Sequence, residues 1–289
     1  LTGFLATAKD EIGKVLQDVG TVLFRGFAIP NPEAFHSVVE AYGEAAFTYE
    51  ESLSNAVRLN VTSRVFTANE APSDVEIFLH HEMAQTPIFP SKLMFYCEVA
   101  PEYGGTTPLC RSDALFSELE LRDPEVASAF DSRGVRYSNV MPSENDKLSG
   151  QGRSWRATLG VDTPSAAEER LDFLGYEWEW RENHTLRVIS PKLPAVRTLK
   201  DGRKTFFNQL IAAFCGWSDK RNSASSSVTF GDGEPITMEH MRRPIEISRE
   251  LTYDHEWRVG DVVLIDNFLV MHGRRPFRGQ RRILASLIN

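Results

Sequence analysis

The chain has 289 residues, of which 42% are hydrophobic and 25% are charged, proportions that are ordinary for a soluble globular protein. A formal net charge of −8 argues against nucleic acid and anionic membranes as main partners. No apolar run approaches the roughly 20 residues that a transmembrane helix needs, so no membrane partner is expected.

The cysteines and the N-terminal segment bear on the cellular compartment. Cys97, Cys110 and Cys215 are odd in number and scattered, which fits a reducing compartment without a disulfide framework. Residues 1–18 carry charges every few positions and lack the basic-then-apolar layout of a secretory signal. A cytoplasmic protein is the expectation.

The N-terminal end predicts a helix, a strand and a second helix. Apolar residues recur at helical spacing over residues 4–19, and Gly20 closes the pattern. Residues 21–27 have the composition of a buried strand. Asn31 precedes a proline and is typical of a helix cap, so a second helix is predicted over residues 31–43.

The rest of the chain alternates strands with short helices. The sequence predicts strands at residues 57–61, 75–79, 92–99, 205–210, 259–266 and 282–288, and a hairpin from residues 178–180 and 186–188. It predicts further helices at residues 112–121, from 123 onward, from 165 to about 175, and at 237–252.

Particular residues refine these elements. The paired glycines Gly104 and Gly105 predict a tight hairpin. Ser165 and Glu168 have the spacing of a capping box, and Pro244 should interrupt the last helix. Two stretches rich in small and polar residues, 143–153 and 222–227, are predicted to be mobile loops.

No repeat, linker or sharp composition shift divides the chain, so one domain spanning residues 1–289 is predicted. The many strands, with helices near the start and inserted later, favour a mainly β protein with added helices. A single jelly-roll core with helical decoration is the expected architecture.

Residues 79–85, Leu-His-His-Glu-Met-Ala-Gln, form the stretch around which a site can be assembled. They follow an apolar run and resemble a strand end, in which side chains alternate between faces. His80 and Glu82 then share a face, and His81 points away. This pair supplies two ligands of the 2-His-1-carboxylate set of non-haem Fe(II) oxygenases. On its own, such a tripeptide is more often a solvated surface pair.

A distant histidine can complete the set. His272 follows the predicted strand 259–266 and the Asp266-Asn267 pair, so a rigid element would deliver it. The plain alternative is a core or turn histidine that is hydrogen-bonded to the backbone.

Arginines and a threonine near these residues could hold an acid. Five arginines lie between positions 274 and 282, and a guanidinium can pair with a carboxylate through two parallel hydrogen bonds. Arg281 and Arg282 point to opposite faces if a strand has begun, so only one should face a pocket. Thr107 places a hydroxyl just after the glycine pair. The plain alternatives are a solvated basic edge and an ordinary turn.

Four motifs occur in one order along the chain. They are His80-x-Glu82, Pro101-x-x-Gly104-Gly105-x-Thr107, Gly260-Asp261-x-x-x-x-Asp266-Asn267, and His272-Gly273-Arg274 followed by Arg281. In this order they resemble the Fe(II)/2-oxoglutarate dioxygenases of the taurine dioxygenase and clavaminate synthase-like family. The resemblance covers about residues 21–289. Each motif alone is weak, and their combination is specific.

The resemblance implies a fold and a metal site. The fold is a double-stranded β-helix (jelly roll, cupin-like) in a single dioxygenase domain. His80, Glu82 and His272 are implied as the catalytic metal ligands, holding Fe(II).

The resemblance also implies how the cosubstrate is held. Thr107 and Arg281 are implied to bind the far carboxylate of 2-oxoglutarate, and Arg282 replaces Arg281 if the longer segment of some relatives applies. Asn208, within Phe207-Asn208-Gln209, is implied as a pocket residue that contacts substrate.

The implied reaction oxidises a C–H bond of a small amino-acid-like or carboxylate substrate. Three protein ligands leave three positions on an octahedral iron, two for 2-oxoglutarate and one for dioxygen. Hydroxylation is the default outcome, with desaturation or cyclisation open. Halogenation is not expected, because family halogenases lack the carboxylate that Glu82 supplies.

Two other classes of function stay open. A hydrolytic zinc metalloenzyme could use the same ligands, but it would not need Arg281 and Thr107. A non-catalytic, ligand-binding jelly roll would carry a broken ligand set, whereas this one is intact. Arg64, Arg153 and Arg156 are candidates for holding a substrate carboxylate. The sequence predicts neither a choice among them nor an oligomeric state.

Overall fold

The computed structural model describes residues 1–48, 53–54, 58–68, 71–146, 152–217, 221–222 and 227–289. The helices, strands and contacts of the molecule are those of these residues. None of the helices within them is both long and apolar enough to cross a bilayer.

Short helices and many strands make up the chain. The helices are α1 (Thr2–Val19), α2 (Pro32–Tyr42), α3 (Ser112–Arg122), α4 (Pro124–Arg133), α5 (Trp155–Leu159), α6 (Pro164–Phe173), α7 (Leu210–Gly216) and α8 (Met238–Leu251). The strands are β1 (Thr21–Phe24), β2 (Ala46–Phe47), β3 (Phe66–Thr67), β4 (Ile77–His80), β5 (Lys92–Val99), β6 (Tyr103–Gly104), β7 (Thr107–Arg111), β8 (Val135–Met141), β9 (Glu177–Trp180), β10 (Leu186–Ile189), β11 (Arg197–Thr198), β12 (Lys204–Thr205), β13 (Val228–Phe230), β14 (Tyr253–His255), β15 (Val262–Asp266), β16 (Val270–Arg274), β17 (Phe277–Arg278) and β18 (Arg282–Ile288).

Antiparallel pairing groups most strands into three sheets. The first has the order β1-β15-β5-β18-β2, with β3 also paired to β18. The second has the order β14-β7-β16-β4 and the third β13-β8-β10-β9. Two further pairs, β11-β12 and β17-β6, are separate ribbons. The second sheet carries both histidines of interest, His80 on β4 and His272 on β16.

The first sheet is buried on both faces, which explains its continuous apolar strands. On β5, Met94 and Tyr96 pack with α1 and α2, whereas Leu93, Phe95 and Cys97 pack in the inner core. The two predicted N-terminal helices are confirmed. Asn31 caps α2 by accepting from the Ala34 amide, and Gly20 ends α1 at φ 81°.

The second sheet faces the same inner core. Leu109 of β7 and Val270 of β16 join the cluster that holds Leu93 and Phe95. Their strand neighbours Cys110 and Met271 point the other way, against helices α3, α4, α7 and α8. Two sheets therefore enclose one apolar layer, with helices on the outer faces. All three cysteines are free thiols, and Cys97 and Cys110 are fully buried.

The prediction of a tight hairpin at the glycine pair is wrong. Gly104 lies in β6, which pairs with β17 some 170 residues away, and the chain passes from the first sheet to the second here. A Cβ on Gly104 would lie 2.4 Å from the Pro276 carbonyl oxygen, and its φ is +69°. Close approach of a distant strand, rather than a local turn, requires this glycine.

Three other local predictions are also wrong. Helix α6 is capped by Thr163, whose side chain accepts from the Ala166 amide, so Ser165 lies inside the helix. Of residues 205–210, only Thr205 belongs to a strand, β12, because the Asn208 side chain accepts from the Leu210 amide, where α7 begins. Helix α8 continues through Pro244, whose ring is buried.

Some predictions fall partly on residues that are not described. Of the predicted strand 57–61, the described part forms a single bridge between Asn60 and Phe66. The predicted mobile loops include residues 147–151 and 223–226, which lie outside the described residues. The predicted hairpin of β9 and β10 is confirmed.

Candidate active site

His80 and His272 face each other across two paired strands. The ladder between β4 and β16 pairs the two residues directly, and the centroids of their rings lie 4.4 Å apart. On β16 the side chains alternate, so Val270 enters the inner core, His272 follows on the same face, and Met271 points outward. The antiparallel register thus brings together two imidazoles that are 192 residues apart.

Each imidazole has a nitrogen available to the cavity. His80 Nδ1 lies 2.8 Å from the Phe78 carbonyl oxygen, which can only accept, so Nδ1 carries the proton. That bond leaves His80 Nε2 as an electron-pair donor and fixes the ring orientation. Burial lowers the pKa of His80 to about 4, against the opposing effect of Glu82, so the ring is neutral at pH 7. His272 Nε2 lies 3.6 Å from Glu82 Oε2.

Glu82 reaches the same point from a turn, not from a strand. β4 ends at His80, so Glu82 lies beyond the strand. The prediction that strand alternation places Glu82 on the same face as His80 is therefore wrong in its reason. The fully buried Asn267 holds the turn instead. Its Oδ1 accepts from the Glu82 amide at 2.8 Å, and its Nδ2 donates to the Glu82 carbonyl at 3.0 Å. Met83 then adopts φ 59°, a conformation that few non-glycine residues take.

His81 points away from the cluster, as the sequence predicts. Its Nδ1 bonds the Asn267 carbonyl, and its ring packs on Phe207 at a centroid distance of 4.8 Å. Burial lowers the pKa of His81 to about 3. The residue is a neutral, buried support for the turn.

Arg58 is a component of the site that sequence reasoning missed. Its Nη2 donates to Glu82 Oε1 at 2.8 Å, and both side chains are buried. Burial alone would raise the pKa of Glu82, but Arg58 and the two imidazoles outweigh it and hold that pKa well below its usual range. Glu82 is therefore a carboxylate at neutral pH. No local pattern signals a pair 24 residues apart.

The donor set suits a divalent iron. One ligand atom from each of His80, Glu82 and His272 lies within 4.8 Å of the other two, the one such group among the described residues. Two imidazoles and one carboxylate are the 2-His-1-carboxylate set of non-haem Fe(II) sites.

These three side chains open onto a cavity of about 130 Å³, called the metal cavity below. The other described residues that line it are Ser54, Arg58, Ala68, Ile77, Gln85, Phe95, Thr107, Gln209, Ala212, Trp217, Gly273, Arg274, Arg281 and Ile283. Three of them are arginines and Glu82 is the one acid, so the described lining is cationic apart from any metal.

Arg281 lies at one end of the metal cavity. Its Nε donates to the Gly105 carbonyl at 3.0 Å, and its Nη2 lies 3.5 Å from Thr107 Oγ1. Burial, with a contribution from Arg274, lowers the pKa of Arg281 to about 10, so the group stays cationic at pH 7. No carboxylate of the described residues pairs with it.

The pairing of β6 with β17 beside the glycine pair brings Thr107 close to Arg281. Thr107 Oγ1 accepts a 2.9 Å hydrogen bond from Trp257 Nε1. The threonine therefore accepts from the indole and the guanidinium, and its own hydroxyl hydrogen remains available for an acceptor in the cavity.

Arg282 and Asn208 lie elsewhere. Arg282 begins β18 on the opposite side from Arg281 and pairs with Glu98 at 2.7 Å. Asn208 is buried, donates to the Ala195 carbonyl and accepts from the Leu210 amide, so both ends of its side chain serve the backbone. It does not line the metal cavity, which argues against substrate contact; its neighbour Gln209 does line it.

The three arginines considered for a substrate carboxylate also lie outside the described lining of the metal cavity. Arg64 donates to the Glu44 carbonyl, Arg153 to the Ser54 carbonyl and Arg156 to the Ser143 carbonyl. Each therefore ties chain segments together.

The chain is similar to known proteins over nearly its whole length. The family model described as taurine catabolism dioxygenase TauD, TfdA family, matches residues 2–287. A clavaminate synthase-like protein of Arabidopsis thaliana is 40% identical over 287 residues, covering 99% of this chain and 86% of that protein. The dapdiamide synthesis protein DdaC of Enterobacter agglomerans is 27% identical over 296 residues, covering 96% of this chain and 84% of that protein.

Solved structures share the fold at low sequence identity. An asparagine oxygenase, solved with Fe(II), 3-hydroxyasparagine and succinate, superposes with a TM-score of 0.59 at 13% identity. The alignment covers 98% of this chain and 79% of that one.

Proposed function

Since this chain belongs to the taurine catabolism dioxygenase TauD, TfdA family, we propose that it oxidises a C–H bond of a small amino-acid-like or carboxylate substrate. The chain is an Fe(II)/2-oxoglutarate-dependent dioxygenase, and its reaction requires Fe(II), 2-oxoglutarate and dioxygen. Hydroxylation is the default outcome, and desaturation or cyclisation would use the same site.

The architecture proposed for this activity is a double-stranded β-helix, or cupin-like jelly roll, within one dioxygenase domain spanning residues 1–289. Two observations support it. The first and second sheets enclose a common apolar layer that contains Leu93 and Leu109, and the family model runs through residues 2–287 without interruption.

His80, Glu82 and His272 are proposed as the iron ligands. The support is the cluster of their ligand atoms, the neutral state of His80 and the ionised state of Glu82. With 2-oxoglutarate and dioxygen, the iron supplies the oxidant that removes a hydrogen atom from the substrate.

The protein's own residues hold this site in place. Asn267 fixes the backbone on both sides of the Glu82 side chain, and the Phe78 carbonyl fixes the ring of His80. Arg58 binds one oxygen of Glu82 and leaves the other toward His272. Phe95 and Ile283 line the metal cavity and keep water from part of its surface.

Thr107 and Arg281 are proposed to bind the far carboxylate of 2-oxoglutarate. The observation that carries the proposal is a part-buried guanidinium whose hydrogen bonds reach only neutral oxygens. Removing a cation from water without pairing it with an anion is unfavourable, and a bound carboxylate would relieve that cost. A zinc hydrolase would have no use for this group.

The amino-acid-like substrate is supported by the chemistry named for the relatives. The structurally similar asparagine oxygenase was solved with a hydroxylated amino acid and succinate. The substrate of this chain is proposed to occupy the part of the metal cavity lined by Gln85, Gln209 and Trp217, beside the ligand cluster.

An anaerobic titration tests the proposal. Addition of Fe(II) and then 2-oxoglutarate should produce a weak visible charge-transfer band, followed by succinate release when oxygen is admitted with a substrate. A folded, iron-loaded protein that shows no band on addition of 2-oxoglutarate would contradict the cosubstrate assignment. A panel of amino acids and small acids, screened for succinate release, would then identify the substrate.

A further inference from the structure

A second cavity of about 40 Å³ adjoins the metal cavity and is called the side chamber below. Gln85 and Trp217 line both cavities, so the two spaces share a wall. Apolar side chains form much of the rest of the chamber, including Leu159, Leu171 and Val188. The side chamber therefore lies directly beside the metal cavity, with Gln85 and Trp217 at their common boundary.

Three residues that line the side chamber each carry a polar atom that has no hydrogen-bond partner among the described residues. These atoms are Gln85 Oε1, Asn139 Oδ1 and Thr158 Oγ1, and all three atoms are buried. The Gln85 and Thr158 side chains belong to residues only 8% and 4% exposed. Buried polar atoms are nearly always satisfied in folded proteins, so three among the residues that line one small chamber indicate a missing partner.

The side chamber carries no charged group among its described lining residues. Its two tyrosines, Tyr137 and Tyr176, have pKa values raised by burial, so both stay neutral phenols. Tyr137 already accepts a hydrogen bond from the Gln209 amide. A carboxylate or an ammonium group in this space would have no oppositely charged partner. Nothing would then offset the free-energy cost of removing that charge from water.

The metal cavity has the opposite character. Arg58, Arg274 and Arg281 line it, against Glu82 as the acid. Anionic groups are therefore favoured in the metal cavity and neutral groups in the side chamber. A molecule that spans both must carry different chemistry at its two ends.

We propose that the side chamber binds the distal end of the substrate, and that this end is an uncharged group that both donates and accepts hydrogen bonds. A primary carboxamide on a short aliphatic stem fits best. The side-chain amides of Gln85 and Asn139 offer one donor and one acceptor group each, and the Thr158 hydroxyl can do either. The apolar wall accommodates the stem. This inference rests on the proposed function and names the substrate class for the same site.

Matched probes test the charge requirement. The iron- and 2-oxoglutarate-loaded protein, kept anaerobic, is titrated by calorimetry with L-glutamine against L-glutamate and with L-asparagine against L-aspartate. At least one carboxamide should bind about tenfold or more tightly than its carboxylate counterpart, since each pair differs mainly in terminal charge. Equal or tighter binding of the carboxylates, or no binding by any of the four, would overturn the proposal.

The order of measurements separates this inference from the proposed function. The charge-transfer band is recorded on the same sample before any probe is added. An absent band indicates that the cosubstrate assignment has failed. A normal band followed by no preference for the carboxamides indicates that only the side-chamber proposal has failed.

Two substitutions that nearly preserve the shape of the side chain test whether the carboxamide binds in the side chamber. Gln85→Leu and Thr158→Val each remove hydrogen-bonding groups, so each should weaken the preferred carboxamide by about threefold to tenfold. Both should bind L-norleucine, an apolar probe of similar length, as well as or better than wild type. A general loss of structure would weaken the binding of both probes, so it would not produce weaker carboxamide binding together with unchanged or tighter L-norleucine binding. Thr198→Val, an exposed change of the same chemistry on β11, should leave both affinities unchanged. Folded Gln85 and Thr158 variants with wild-type affinity for the carboxamide would overturn the proposal.

Discussion

The two ends of the metal cavity are built in opposite ways. At the metal end, bonds within the chain hold two of the three proposed ligands: Phe78 holds His80, Asn267 holds the Glu82 backbone, and Arg58 balances the carboxylate. At the other end, Arg281 is a part-buried cation whose hydrogen bonds reach only neutral oxygens.

This contrast indicates which end depends on its ligand. The metal end is largely organised by bonds within the chain, so ordering it when iron binds costs little free energy. The carboxylate end keeps a part-buried cation without a counter-charge until an anion binds. Changes at the first end should therefore alter metal affinity, and changes at the second should alter cosubstrate affinity. Each prediction below tests that separation.

Replacing a proposed ligand should have the largest effect. His80→Ala removes one of three donor atoms and should lower Fe(II) affinity by more than about a hundredfold, beyond the range seen for supporting residues. The neighbouring change His81→Ala should retain iron, because that ring packs on Phe207 and points away from the cluster. Iron content after anaerobic loading and desalting measures both. Iron lost from the His81 variant and kept by the His80 variant would reverse the assignment.

Replacing the cation Arg281 should affect cosubstrate binding alone. Arg281→Ala should raise the KM for 2-oxoglutarate by about tenfold to a hundredfold, since charge-assisted hydrogen bonds contribute about 1.5–3 kcal/mol each and about 1.4 kcal/mol is one decade. Iron content should stay at the wild-type level.

Arg282→Ala is the matched control for this change, because Arg282 pairs with Glu98 on the other side of the strand. Its KM should change little. An effect carried by Arg282 would favour the longer segment of some family members, and no effect from either arginine would place the cosubstrate elsewhere.

The Asn267 side chain acts as a clamp on the Glu82 backbone. Removing this clamp should lower Fe(II) affinity less than removing a ligand does. Asn267→Ala deletes three hydrogen bonds, to the Glu82 amide, the Glu82 carbonyl and the Pro90 carbonyl. Fe(II) affinity should fall by about tenfold, with 2-oxoglutarate KM measured at saturating iron unchanged.

The control for this change is an asparagine that supports a distant part of the fold. Asn31→Ala removes the cap of α2 and should cost about 1 kcal/mol of folding free energy without altering iron affinity. Equal losses of iron in the two variants would show that destabilisation, rather than the clamp, is responsible.

The smallest effect is expected from the threonine beside Arg281. Thr107→Val keeps the volume of the side chain but removes one hydroxyl, so the KM for 2-oxoglutarate should rise about threefold to tenfold. Thr106→Val is the control, because the Thr106 hydroxyl bonds Asp254 at the surface. A larger effect from Thr107 than from Arg281 would contradict the view that the cation dominates this end.

Sequence patterns predicted the elements that depend on neighbouring residues. β5 has the predicted bounds because it is buried on both faces and reads as a continuous apolar run. Helix α2 begins at its predicted cap, since Asn31 bonds an amide three residues on. The grouping of His80, Glu82 and His272 was also anticipated, although their roles as ligands stay predictions.

The failures have a common physical cause, which is contact between distant segments. Gly104 serves a strand near Pro276 and not a local hairpin. The Arg58–Glu82 pair joins a residue outside the described strands to the turn after β4, and neither sequence pattern requires the other. Residues 205–210 are apolar enough for a strand, but side-chain bonds from Asn208 start a helix there. Local propensity does not encode such contacts.

Two of the three cysteines, Cys97 and Cys110, lie buried in the core of an enzyme that uses dioxygen. Burial raises the pKa of both Cys97 and Cys110 to about 12, although Arg281 acts in the opposite direction on Cys97. The thiolate is the form that peroxides attack, and at neutral pH these two residues hold almost none of it. Treatment of the folded protein with hydrogen peroxide should therefore leave both cysteines unmodified. Protection comes from proton affinity and burial, so sulfur can remain in the core of an enzyme that uses dioxygen.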